Sequence, residues 1–341
     1  MAARRTGLAL LVILAVAPLA HSADVPGIDT SPAAMRARLA GLLHRLVEDG
    51  KHYGPGVLWV EDHKKVSWFQ GQAIAMMAAA YPYADPADQP ALRDYLRKEI
   101  TNYLFDAKYL HWETFGTLTR PGNETLKWQE NYAPGWLAVY GLAAYASATG
   151  DRTLLKDNHA YIVGLCQTLR TPPNQIVASR NTVPLYNARY AGAWAMAKIG
   201  KQLGDTNLTA RGRAAMTEAR KNMLANIDEG LRLSAGGDGH IRFVPCLEAL
   251  TPEAAAVYAG TPDAKDAIAR LVAQADRDPF WLLNGLNLGG AGGEGSFQPP
   301  QFATQIFLAK AWILGESYDK LARQLPWPNV YATQPSYRDL H

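Results

Sequence analysis

The stretch "KWQENYAPGWLAVYGLAAYASATGD", Lys127 to Asp151, decides how the chain is read. From Ala133 to Ala146 it holds no charged side chain and no side-chain amide, only Ala, Gly, Leu, Val, Pro and aromatics. Pro134 suits the first turn of a helix. A helix that is apolar all round has to be buried all round, so this one is expected in the interior. Its polar residues, Lys127, Gln129, Glu130 and Asn131, crowd at the entrance.

The same grammar recurs in "SWFQGQAIAMMAAAY" (Ser67 to Tyr81), "VPLYNARYAGAWAMAKIG" (Val183 to Gly200) and "QFATQIFLAKAWILG" (Gln301 to Gly315). Between them lie two-faced segments: "SPAAMRARLAGLLHRLVEDG", "DPADQPALRDYLRKEITNYLFD", "DRTLLKDNHAYIVGLCQTLR" and "NLTARGRAAMTEARKNMLANID". In the first, Met35, Leu39, Leu42, Leu43 and Leu46 form one apolar stripe, as in a surface helix packing one side inward. Apolar and two-faced helices alternate, and Gly150-Asp151 and Gly204-Asp205 mark the change 54 residues apart. "YASATGDRTLL" aligns with "IGKQLGDTNLT", so we expect a repeat of helix pairs with a period of about 50 to 65 residues. The region from Cys246 to Asp278 fits that repeat poorly, and strand signals are confined to "HYGPGVLWV" and "HIRFVP". The expected fold is all-α, a single (α/α) toroid over residues 24–341 with inner and outer helices and four to six hairpins. A helical solenoid is the second architecture.

Arg4 and Arg5 precede an apolar run from Leu8 to Leu19, and Ala20-His21-Ser22 supplies small residues for a cut. This is the layout of a secretory signal peptide over residues 1–23, and the run is short for a membrane span. A periplasmic or secreted protein is therefore expected, with no membrane segment after cleavage. Removing Arg4 and Arg5 takes the formal charge from +3 to about +1. No Lys/Arg run reaches five, which argues against nucleic acid as a partner. Cys166 and Cys246 are the two cysteines; an oxidising compartment leaves open a bridge or a buried free thiol.

"GWLAVYGLAAYASATGD" followed by "RTLLKDNHAYIVGL" and then "YNARYAGAWAMAKIGKQLGD" resembles the hairpin grammar of the α/α-toroid carbohydrate-active enzymes. These are the six-hairpin glycosidases and the toroidal polysaccharide lyases, and the likeness spans roughly Ser67 to Ile227 at superfamily level. It implies a poly- or oligosaccharide substrate and a cleft where the inner helices begin. "DNHAY", with Asn158 and His159, resembles the Asn-Asn-His stretch of toroidal alginate lyases but lacks the preceding Asn.

Hydrolysing a glycosidic bond takes two carboxyl groups, one protonating the leaving oxygen and one activating water or attacking the sugar. Glu130 is the first candidate, Glu294 in "LGGAGGEGSFQPPQF" the second and Glu113 in "LHWETFG" the third, with Glu61 and Asp62 behind them. An acid at a helix start has an ordinary structural role too, through the helix dipole. β-Elimination from a uronate chain needs a carboxylate neutralised, a proton removed and a leaving group protonated. "YNARY" offers Tyr186, Asn187, Arg189 and Tyr190 for that chemistry, with His52, His63, His111 and His240 as loop histidines. A buried Arg189 would need an acidic partner or a ligand. Trp68, Trp112, Trp128, Tyr132, Trp59 and Trp136 are aromatics near helix entrances that could stack on sugar, with Gln129 and Asn131 as polar contacts. Core packing is the plain alternative for such aromatics. No cofactor is expected. Paired histidines at metal-ligand spacing are absent, the Gly-rich loop around Glu294 lacks the Lys-Ser/Thr of a phosphate cradle, and no Asp-rich diphosphate motif occurs.

Overall fold

The computed structural model describes residues 31–53, 60–61, 65–66, 70–101, 133–169, 186–225, 249–277, 306–317 and 320–321, together with 29, 227 and 247. These residues are all-α. In chain order they form α1 (Pro32–Tyr53), a minimal hairpin of β1 (Val60–Glu61) and β2 (Lys65–Val66), and α2 (Gln70–Ala80), which tightens into a 3-10 turn at Tyr81–Tyr83. Then come α3 (Gln89–Glu99), α4 (Ala133–Thr149), α5 (Thr153–Asp157), α6 (His159–Thr168), α7 (Tyr186–Leu203) and α8 (Thr206–Ala225). Last are α9 (Pro252–Ala259), α10 (Pro262–Arg277) and a π-helical segment, Ala309–Leu314. In the hairpin Val60 faces Val66 and Glu61 faces Lys65. The chain divides into two compact units, Ser31–Asn222 and Met223–His341.

In the first unit the three charge-poor helices α2, α4 and α7 pack side by side, and glycine sets how closely. A Cβ on Gly71 would run into the backbone of Leu137 and Ala138 in α4. A Cβ on Gly192 of α7 would meet the backbone of Trp136. Gly71, in the first turn of α2, therefore lies against the second turn of α4. Trp136 meets Gly192, and one turn further on Tyr140 meets Trp194, ring centroids 6.1 Å apart. Both contacts advance together along the two chains, so α4 and α7 run in the same direction.

The two-faced helices cover them. α3 turns Leu92, Tyr95 and Leu96 inward and leaves Arg93, Asp94 and Lys98 in solvent. α8 runs antiparallel to α7: Gly212 sits on Ala193 and Ala197, and Gly200 on Asp205 and Thr209. The segment read as one helix from Asp151 to Arg170 is broken at Asn158, whose side-chain amide donates to the Leu154 carbonyl at 2.8 Å. That local bond competes with the next helical turn and restarts the helix at His159. Leu42, placed in the inward stripe of α1 by its spacing, is 48% exposed, while Leu43 and Val47 are buried. Neither is α2 buried all round, because Met76 is 58% exposed.

Gly150 and Gly204 both end their helices in the left-handed region, φ +72° and +73°, where lack of a Cβ removes the strain. The acid after each glycine then caps the next helix and pairs with an earlier one. Asp151 accepts from the backbone N–H of Thr153 and Leu154, at 3.1 and 3.3 Å, and so starts α5. It takes the Tyr145 hydroxyl of α4 at 2.8 Å and pairs with Arg97 of α3. Asp205 accepts from Leu208 N–H at 2.8 Å and meets His159 Nε2 of α6 at 3.1 Å. Asp88, before α3, meets His44 Nδ1 of α1 at 3.0 Å. α1, α3 and α6 thus each hand a nitrogen to the acid that stands at the start of the next two-faced helix.

The second unit corrects the expectation that Cys246 to Asp278 breaks the repeat. α9 is short and apolar, started by Thr251, whose hydroxyl accepts from Ala254 N–H at 3.3 Å, with Pro252 in the first turn. α10 is two-faced, burying Ala264, Ala267, Ile268, Leu271 and Leu-flanking Val272 while Lys265, Asp266 and Arg270 stay exposed. With Gly260 between them, the turn glycines Gly150, Gly204, Gly260 and Gly315 fall 54, 56 and 55 residues apart. Two features hid this pair: α9 has only 8 residues, and Gly-Thr-Pro replaces Gly-Asp at its turn.

Candidate functional site

The described part of the candidate site is the amino end of α7. Tyr186, Asn187 and Arg189 are buried there and Tyr190 is half-buried. The Arg189 guanidinium carbon lies 5.2 Å from the Tyr186 ring centroid, a cation over an aromatic face. Burial pulls the Arg189 guanidinium down to about 10, while Tyr186 and Glu218 of α8 act the other way. It stays cationic at neutral pH.

Helical stepping of 100° per residue divides the "YNARY" motif. Arg189 shares its face with Ala193, Ala197 and Gly200, the face seated on α8. Tyr190 is on another side, with Trp194 and Lys198 below it at successive fourth positions. The motif therefore presents a buried guanidinium between two helices and a tyrosine on an open stripe.

The remaining candidates divide in two. Trp136 is 2% exposed and belongs to the core, so stacking on sugar is closed to it. His52 falls within α1, not in a loop. His159 opens α6 and serves Asp205, and Asn158 bonds its own turn, so "DNHAY" has structural work. Glu61 stands opposite Lys65 in the small hairpin. Glu130, Glu294, Glu113, Asp62, His63, His111, His240, Trp59, Trp68, Trp112, Trp128, Gln129, Asn131 and Tyr132 lie outside the described residues. Cys166 is a buried free thiol, pushed up to about 12 by burial above all.

Sequence reading missed the Asp151 cluster, although the repeated Gly-Asp was its signal. Asp151 is 12% exposed at its side chain; burial alone would raise its carboxyl. Bonds from Thr153, Tyr145, Arg97 and Leu154 outweigh that and hold it far below the usual carboxylate range. Tyr145 is driven well above an ordinary phenol by burial and by donating to that carboxylate. All acceptor positions serve the fold, so this is a structural knot. Among the described residues, no group of three His, Cys, Asp or Glu could hold a metal ion, and no helix is long and apolar enough to cross a membrane. No protein-family model matches the chain, and neither a curated protein nor a solved structure does.

Proposed function

We propose that the protein is an exported carbohydrate-active enzyme, built as an (α/α) toroid, that cleaves glycosidic bonds of a poly- or oligosaccharide by acid–base hydrolysis. The observation that carries the reading is the shared direction of α4 and α7 and the contact of the first turn of α2 with the second turn of α4. Chain connectivity does the rest. In the sequence Glu130 stands three residues before α4 and Trp68 two residues before α2. Gln129, Asn131 and Tyr132 flank Glu130 in the sequence, and Tyr186 opens α7. Glu130 serves as the proton donor to the leaving oxygen, with Glu294 or Glu113 activating water or attacking the sugar.

A second reading, β-elimination from a uronate-containing glycan, is favoured by the Tyr186, Asn187, Arg189 and Tyr190 group at the start of α7. There the half-buried Tyr190 would move the proton, whereas Asn187 and Arg189 are buried, Arg189 on the α8 side, and do not reach a substrate carboxylate. Assaying Glu130→Gln on a cleaved glycan tests the first: loss of at least about a hundredfold in kcat is expected of a missing acid–base group. Full activity in that variant removes the hydrolytic assignment. Product carrying the ultraviolet absorbance of an unsaturated uronate supports elimination instead. Binding of glycans without any cleavage makes the protein a non-catalytic glycan-binding toroid.

A further inference from the structure

We draw no further inference here: the strongest candidate, the recess on the outer face of α10 lined by Asp263, Asp266, Ala269 and Arg270, is an acidic cluster near a helix start with nothing beside it among the described residues that points to a ligand.

Discussion

Asp151 is where the fold of the first unit can be broken most cleanly, because one carboxylate there holds three helices. Replacing it in Asp151→Ala orphans the Tyr145 hydroxyl, which belongs to a residue with no exposed surface. An unsatisfied buried donor costs about 1–2 kcal/mol. Losing the acceptor for Thr153 and Leu154 N–H removes a helix start, about 1 kcal/mol. The Arg97 pair adds less, about 0.5 kcal/mol, because that side chain is 38% exposed and screened by water. Together these give about 3 kcal/mol, measurable as a shift in urea midpoint followed by far-ultraviolet circular dichroism. Tyr145→Phe removes the orphan in advance, so the Asp151→Ala penalty should shrink by about 1–2 kcal/mol in that background. The pH dependence has a definite sign. A carboxyl held below its unfolded value contributes stability that is complete above about pH 4 and drains away as the pH falls toward its folded value. An Asp151→Ala protein should therefore lose less stability than the parent between pH 5 and the acid range. An alanine variant within 0.5 kcal/mol of the parent, or a double-mutant cycle with no coupling, would refute this account of the turn.

Two further outcomes follow from packing. Gly192→Ala drives a methyl into the Trp136 backbone and should cost about 3 kcal/mol or more, whereas Gly164→Ala meets nothing within 4 Å and should gain about 0.5–1 kcal/mol; chemical denaturation of both decides the matter, and a tolerated Gly192→Ala would mean the helices are further apart than described. Peptide-resolved thiol labelling should leave Cys166 unmodified in the native chain and modify it fully in denaturant, since burial keeps its thiol protonated; rapid native labelling would contradict its place in the core.

Helix type was legible from the residues alone. "APGWLAVYGLAAYASAT" has no polar face to give to water, so its burial followed from composition, and Gly150-Asp151 and Gly204-Asp205 marked the turns. Period alone could not say that Met76 stays exposed, because a helix with no charge carries no sign of which side lacks a neighbour, and Leu42 is exposed at the edge of the α1 stripe. Nor did the four-residue spacing of Tyr186 and Tyr190 reveal that Arg189, one position before Tyr190, turns to α8.

What the order of residues determined by itself was the alternation of apolar and two-faced helices and the turns between them, since propensity, capping and periodicity act over a few neighbours in the chain. Only the tertiary structure decided which partner each polar group found. Arg97 and Asp151 are 54 residues apart, His159 and Asp205 46, and Tyr140 and Trp194 54. Contacts at such separations depend on how close two helices can approach, and here that distance is set by the glycines at 71 and 192, whose missing side chains let one backbone lie against the next.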